Sequence, residues 1–293
     1  MNVNLDEKRK TKSVIAAIIG KPNAGKSTLM NSIIDYRLSI VTPKVQTTRN
    51  IIRGIFTKED TQFIFFDTPG IFEPKNNLER LIVKYAFDSL KGVDVAILLI
   101  DGTKNIDETN KNLCIKLNNS HALIIAINKK DISTKVKDLT EEIGKLAPKA
   151  LVTTISALHK AGVDGILNHL EQFAVPSPWL YDEDLVTNLP LKFLVSEITR
   201  EQLFLNLGQE LPYNLTVLTE EMTKKNDNTY LIKQVIIVSK ESHKKIIIGT
   251  KGSKIKLINQ NTRKCIEEYL GVKSHLFLFV SVKNWLHIPH MFV

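Results

Sequence analysis

Three polar clusters in the first half of the chain have the residue types and spacing that work on a nucleotide requires, and each follows an apolar run. Gly20, Lys21, Pro22, Asn23, Ala24, Gly25, Lys26, Ser27 and Thr28 carry the pattern G-x-x-x-x-G-K-S between the apolar run 14–19 and an amphipathic stretch. Glycines let such a loop turn tightly, so that successive backbone N–H groups and the N-terminus of the next helix point at phosphate oxygens. Lys26 supplies a point charge at the β and γ oxygens, and the Ser27 hydroxyl suits Mg2+. Asp67, Thr68, Pro69 and Gly70 close the run that ends at Phe66. A carboxylate there can hold a Mg2+-bound water, and Gly70 leaves its N–H free to approach a γ-phosphate and to withdraw once that phosphate is gone. Asn128, Lys129, Lys130 and Asp131 end the run 122–127. The Asp131 carboxylate can accept from both N1–H and the exocyclic amino group of guanine. Adenine offers neither in that arrangement, and the unpaired carboxylate would cost about 1–3 kcal/mol.

Two weaker segments belong to the same set. Residues 39–50 are polar and contain Gln46, Thr47, Thr48, Arg49 and Asn50; one threonine, Thr48 or Thr47, can complete a Mg2+ shell when a triphosphate is bound. After the run 150–155, Ser156, Ala157 and Leu158 suit backbone contact with the guanine O6. Each segment alone is an ordinary turn. Their order is informative, because each follows a strand or lies between two, and strand carboxyl ends are where α/β folds bind ligands.

The elements that must position these loops follow from hydrophobic rhythm. Strands are expected at 14–19, 51–56, 62–66, 95–100, 123–127 and 150–155, and helices starting at Lys26, near Leu78, Glu108 and Leu139, and at Val163. Most strands are nearly all apolar, as strands of a parallel sheet buried on both faces should be. Residues 175–190 break the pattern with Pro176, Pro178 and Pro190 around Asp182, Glu183 and Asp184, the composition of a linker. Beyond it the rhythm is that of a smaller α+β unit. We expect a strand at 192–198, a short helix at 199–207, strands at 214–221, 229–238 and 275–282, and helices on both sides of Gly249-Thr250-Lys251-Gly252. The last helix, 253–270, carries Ile255, Ile258, Thr262, Cys265, Ile266 and Tyr269 on one face, enough to pack on a three-stranded sheet.

The 293 residues suffice for two domains, with boundaries expected at 12–176, 177–190 and 191–293. A hydrophobic fraction of 43% with 24% charged residues fits a globular protein, and no apolar run reaches the roughly 20 residues of a spanning helix. The charged stretch 1–12 reads as a disordered lead rather than a signal peptide, which points to the cytoplasm. Cys114 and Cys265 are too far apart in sequence to suggest a disulfide or a metal site. A net charge of +9 calls for a polyanionic partner. The charge is concentrated at 240–264, where Lys240, Lys244, Lys245, Lys251, Lys254, Lys256, Arg263 and Lys264 face one acidic residue, Glu241. Gly249 and Gly252 let backbone approach a sugar-phosphate chain. The apolar run Ile246, Ile247 and Ile248 could floor a groove for unstacked bases. The candidate RNA contacts are therefore Lys244, Lys245, Ile248, Gly249, Thr250, Lys251, Gly252, Lys254 and Lys256.

The five loops, with Gly20-x-Pro-Asn-x-Gly-Lys-Ser and Gln46-Thr-Thr-Arg49, resemble the translation-factor-related GTPases and, within them, the Era-type ribosome-assembly family. The order β-β-α-GxxG-α-β resembles that family's type II KH domain, as do Glu197-Ile-Thr-Arg-Glu201 and Glu210-Leu-Pro-Tyr213. The resemblance implies an α/β P-loop GTPase domain, a mostly parallel sheet with helices on both faces, followed by the smaller KH domain. It implies slow hydrolysis of GTP to GDP and phosphate, with Mg2+ as cofactor and with Lys26, Gly70 and Asn23 at the catalytic centre. Relatives with asparagine at the position of Asn23 hold K+ beside the phosphates in place of an arginine finger. Ile71 stands where Ras-type enzymes carry their water-orienting glutamine, so that group is missing here. The family's partner is the 3′ region of 16S rRNA in the assembling 30S subunit. The resemblance further implies a monomer in the cytoplasm, with peripheral contact at the inner membrane. Two other readings compete: a GTP-gated membrane-surface protein whose basic face binds anionic lipid, and an RNA chaperone with vestigial hydrolysis.

Overall fold

A computed structural model of the chain describes residues 10–42, 44, 48, 51–74, 77–208 and 211–283. Outside the described residues lie most of the expected lead (1–9), Gln46, Thr47, Arg49, Asn50, Glu210 and the tail 284–293. Contacts divide the chain into two compact units, one of residues 1–39 and 48–188, the other of 40–47 and 189–293.

The first unit runs β1 (Lys12–Gly20), α1 (Lys26–Ile34), β2 (Ile52–Lys58), β3 (Thr61–Asp67), α2 (Asn77–Asp88), β4 (Val95–Asp101), α3 (Glu108–Ser120), β5 (Ala122–Asn128), α4 (Val136–Leu146), β6 (Leu151–Thr154), α5 (Val163–Glu171) and β7 (Val175–Pro176). Its sheet has the order β2-β3-β1-β4-β5-β6, with β7 added beside β1. The two-residue turn Glu59–Asp60, with Glu59 at φ 56°, makes β2 antiparallel to β3. From β3 to β6 the strands are parallel, and α2, α3 and α4 cross over from β3 to β4, from β4 to β5 and from β5 to β6. β1 lies between β3 and β4, so the chain leaves it to build the sheet in both directions, and its carboxyl end opens on the crevice of a topological switch point.

Both faces of the sheet are buried. Ala17 and Ile19 of β1, Leu98 and Ile100 of β4 and Ile125 and Ile127 of β5 pack with Ala86, Leu113, Leu117, Leu139 and Ile143 from α2, α3 and α4. The alternate residues Ile18, Ile97, Leu99 and Ile124 are equally buried, and α1 and α5 pack on each other and on the strands. At about 1.5–3 kcal/mol for each buried aliphatic side chain, these strands hold the loops at their carboxyl ends on a rigid base.

The second unit runs α6 (Leu191–Asn206), a 3-10 turn (Leu211–Asn214), β8 (Leu215–Lys224), β9 (Tyr230–Val238), α7 (Glu241–Ile248), a 3-10 turn (Thr250–Gly252), α8 (Ser253–Leu270) and β10 (Ser274–Val282). β9 is central, antiparallel to β8 and parallel to β10 across the α7–α8 crossover. The expected strand at 192–198 is wrong: these residues open the 16-residue helix α6. Leu194, Val195, Ile198 and Leu203 are spaced for one helical face, and all are buried. The alternation within 192–198 is too short to outweigh that spacing. Thr199, one turn on, donates to Gln234 Oε1 of β9 at 2.5 Å and fixes the helix on the sheet. On α8 the expected face is the packed one, with Ile258, Thr262 and Ile266 buried.

Candidate nucleotide site and basic loop

Lys26 opens α1 with only 6% of its surface exposed. Its Nζ donates to the carbonyls of Gly20 (3.1 Å) and Lys21 (2.9 Å). Burial lowers its pKa from 10.5 to about 8, against the opposing pull of the Asp67 charge. Ser27 Oγ donates to Asp67 Oδ2 at 2.7 Å and lies 3.0 Å from Thr48 Oγ1. Asp67 is fully buried; burial raises its pKa, opposed by the Ser27 hydrogen bond and the charge of Lys26. Its Oδ1 has no hydrogen-bond partner among the described residues. Two hydroxyls and one carboxylate, whose Oδ1 is orphaned among the described residues, fit Mg2+, which takes oxygen ligands and retains phosphate and water positions. Bound there, Mg2+ would neutralise charge on the phosphates. Ser27, Thr48 and Asp67 would hold it, directly or through water.

One amide braces three loops. Asn128, 3% exposed, donates from Nδ2 to the Ala24 carbonyl (2.8 Å) and accepts at Oδ1 from the Ala157 N–H (2.9 Å). Gly25, at φ +100°, makes this possible: a Cβ there would stand 2.3 Å from Asn128 Nδ2. Lys129, in the left-handed region at φ 66°, donates to Asp101 Oδ2 at 2.7 Å. Burial disfavours the Asp101 charge, but hydrogen bonds from Lys129 and Thr103 outweigh it and keep the carboxyl below its usual range. The Lys130 N–H donates to the Ile155 carbonyl, tying the 128–131 turn to the 156–158 turn. Asp131 stands at the open side, its pKa lowered first by a hydrogen bond with Ser156. Ser156 and Ala157 are buried, and Leu158 is 73% exposed beside them.

The 67–70 turn is fastened to the same end of the sheet. Thr68 Oγ1 donates to the Ile18 carbonyl (2.8 Å), and the Ile71 N–H donates to the Gly20 carbonyl (3.0 Å). Gly70 lies against Pro22, while the Ile71 side chain is buried with Ala86, Leu90 and Ile100. Asn23 is exposed, at φ 62°, and Thr28 is half-buried on α1. The structure thus gathers Gly20–Thr28, Thr48, Asp67–Ile71, Asn128–Asp131 and Ser156–Leu158 at one end of the sheet. Sequence reasoning missed three supports. Asp101 holds Lys129. Asn31 accepts from the N–H groups of Leu38 and Ser39 and donates to the Ser39 carbonyl. Asp107 caps α3 and pairs with Lys21. Asp101 alone had a readable signal, a polar residue ending an apolar strand as Asp67 and Asn128 do.

In the second unit, Gly249 ends α7 at φ +72°, and a Cβ there would lie 2.7 Å from the Lys254 Cβ. Lys245, Thr250, Lys251 and Lys256 are exposed around this turn, and Lys244, Ile248, Gly252 and Lys254 are half-buried. Ile247 alone of the run 246–248 enters the core; Ile246 is largely exposed, as is Leu257 on α8.

Strand order, phosphate loop and purine-reading loop together define a P-loop GTPase, here joined to a KH-type unit. Family models agree: residues 15–129 match the 50S ribosome-binding GTPase model and residues 210–286 the KH domain model. GTPase Era of Rickettsia conorii is 48% identical over 286 residues, covering 97% of this chain and 84% of the relative. The Ehrlichia ruminantium protein is 43% identical, covering 94% of each. Among solved structures, an Aquifex aeolicus Era variant bound to GDP·AlF4− superposes with a TM-score of 0.89 at 35% identity, over 95% of this chain and 97% of the other. Era in complex with MgGDPNP and nucleotides 1506–1542 of 16S ribosomal RNA gives 0.87 at 35% identity, over 95% and 96%. The chain belongs to the Era family of GTPases; it hydrolyses GTP, with Mg2+ and guanine nucleotide as ligands. Nothing in these relatives supports the membrane-surface alternative, and no helix among the described residues is long and apolar enough to cross a membrane.

Proposed function

We propose that this chain is a cytoplasmic switch that binds the 3′ region of 16S rRNA through its second unit and assists rRNA processing and 30S assembly. The observation that carries this reading is the presence, in one chain, of Lys26, Ser27, Thr48, Asp67, Asn128 and Asp131 at one end of a sheet and of a GxxG turn ringed by lysines; a structural relative holds both MgGDPNP and 16S rRNA nucleotides. Residues 12–176 serve as the GTPase domain and 191–293 as the RNA-binding domain. Asp131 reads guanine, Lys129 lays its stem along the base, and Asn128 keeps the phosphate and base loops in register. Thr48 completes the Mg2+ shell with Ser27 and Asp67, and Lys26 and the Gly70 N–H meet the γ-phosphate. With Ile71 buried, no side chain at that position orients water, so intrinsic hydrolysis is slow. Asn23, exposed on the phosphate loop, holds K+ there. Loss of K+ stimulation in Asn23→Ala tests this, and a wild type indifferent to K+ removes it.

The whole reading is tested by crosslinking bound RNA in cells and sequencing it with GTP-locked and GDP-locked protein. Reads concentrated at the 16S rRNA 3′ end are expected. Reads scattered over messenger RNA would overturn the assignment, and full subunit maturation by a Lys26→Ala chain that cannot hold nucleotide would favour the chaperone reading.

A further inference from the structure

Four of the parallel strands end in loops placed above at the nucleotide: β1 in the phosphate loop, β3 in 67–70, β5 in 128–131 and β6 in 156–158. The fifth, β4, ends at Asp101 and leads into residues 102–107, a loop outside the five sequence motifs. Asp101 lies opposite Asn128 in the register of β4 and β5, so the two loops leave the sheet side by side. Their backbones touch. The Gly102 N–H donates to the Asn128 carbonyl (2.9 Å), and a Cβ on Gly102 would stand 2.6 Å from that oxygen. Ser133 Oγ donates back to the Gly102 carbonyl, and Lys135 Nζ donates to Asn105 Oδ1 (2.7 Å).

Within this contact the Asp101 side chain is only 12% exposed and both of its oxygens are engaged. Oδ1 accepts from the N–H (3.1 Å) and the hydroxyl (2.7 Å) of Thr103, and these two bonds fix the plane of the carboxylate. Oδ2 accepts from Lys129 Nζ at 2.7 Å. Lys104 Nζ stands 3.9 Å from the same oxygen on a side chain 70% exposed, so it competes weakly. Lys129 needs such an anchor. Its backbone is in the left-handed region at φ 66°, which residues with a Cβ adopt at a cost, and its flexible four-carbon stem loses entropy on ordering. A charge-assisted hydrogen bond at the tip offsets both, so the stem is ordered before a base arrives. Asp131 is placed by other bonds. The Lys130 N–H donates to the Ile155 carbonyl (3.0 Å), the Ile132 N–H donates to the Lys129 carbonyl (3.1 Å), and the Asp131 carboxylate bonds with Ser156. None of these uses the Asp101 side chain.

We propose that Asp101 is a positioning residue for the guanine nucleotide: it orders the Lys129 stem against the face of the base, separately from the Asp131 carboxylate that reads the base edge. This role rests on those given to Lys129 and Asp131 above. Contact with the stem does not tell guanine from hypoxanthine, whereas the exocyclic amino group that hypoxanthine lacks is met by Asp131. The test is calorimetric titration of the full chain with GDP and with inosine diphosphate. Asp101→Asn keeps an acceptor for Thr103 but turns an amide toward Lys129. It should weaken both nucleotides by the same factor, about tenfold, and leave their ratio at the wild-type value. Thr103→Val keeps the charge and removes one bond to Oδ1; it should weaken both about twofold to threefold. In a Lys129→Met chain, whose unbranched stem has no ammonium to hold, Asp101→Asn should cost no more than about twofold further. A ratio that collapses in Asp101→Asn overturns the separate action, because Asp131 has then moved too. A full loss in the Lys129→Met background overturns Lys129 as the route, and wild-type GDP affinity in both Asp101→Asn and Thr103→Val overturns the role outright. If Asp101→Asn does not fold, Thr103→Val decides. A wild-type chain that binds the two nucleotides equally overturns the reading of Asp131 instead, and the coupling of Asp101 to Lys129 is still read from GDP affinity.

Discussion

Replacing Asn128 with alanine removes both arms of the brace beneath the phosphate loop. The Ala24 carbonyl and the Ala157 N–H, each in a residue only 2% exposed, lose their partner. An unsatisfied buried group costs about 1–3 kcal/mol, so the pair predicts a loss of about 2–6 kcal/mol from the nucleotide-free unit. For a unit of this size each 1 kcal/mol lowers Tm by about 2–4 °C, and a fall of about 8–16 °C is expected from a mid-range loss of about 4 kcal/mol. Asn128→Asp separates brace from bulk. Oδ1 still accepts from Ala157, but a carboxylate oxygen now faces the Ala24 carbonyl where an amino group donated. The aspartate variant should therefore lose more nucleotide affinity than the alanine variant despite keeping the side-chain volume. Thermal unfolding and titration with fluorescent GDP on the full chain read both effects. If both variants stayed within about 0.5 kcal/mol of wild type, the range of an ordinary surface substitution, and bound GDP equally well, the bracing argument would be refuted.

Nucleotide affinity should depend on pH through Lys26. Its folded value of about 8 lies below 10.5, so above pH 8 the free chain loses the ammonium that phosphate oxygens require, and GDP affinity should fall up to tenfold per pH unit. Over the same window the unfolded chain holds more protons, so nucleotide-free stability gains from this group as pH rises from 8 to 10.5. Lys26→Arg should abolish the affinity slope, and an unchanged slope would exclude Lys26 as its source. Asp131→Asn should move preference from GTP toward xanthosine triphosphate, measured by competition, with RNA affinity unchanged. Lys251→Ala and Lys245→Ala should each lower the slope of log affinity against log salt for single-stranded RNA by about 0.7, with GTP hydrolysis intact; an unchanged slope removes that residue from the phosphate path.

What could be read beforehand was set by burial. Strands β1, β4 and β5 lie between two helical layers, so their sequences are continuous apolar runs, and the polar residue ending each run marks a loop at the ligand end. Asp101 and Asn128 follow that rule, as does Asp67 at the end of β3. α6 did not, because its buried face includes Thr199 and Gln202, whose polarity hides the helical period until Gln234 and Cys265 are seen to receive them. Asn31 and Asp107 were equally illegible, since what they hold comes from other parts of the chain. The same holds for 177–188: Pro176, Pro178 and the acidic triplet are visible in composition, whereas the buried amide of Gln62 reveals its partners, the backbone of Leu180 and Tyr181, only in three dimensions.

The Ile55 N–H donates to the Val186 carbonyl and Thr187 Oγ1 to the Arg53 carbonyl, and this cover on the edge of β2 bears on how the molecule behaves in concentrated solution. A sheet edge with bare N–H and C=O groups is a template for another chain. In the larger sheet, residues 186–187 occupy the outer side of β2, and the opposite edge, β6, spans four residues. In the smaller sheet β10 is nine residues long, is paired on one side only among the described residues, and carries the half-exposed rings of Phe277 and Phe279. Self-association should therefore begin at β10, and a lysine at position 277 or 279 should raise the concentration at which it sets in.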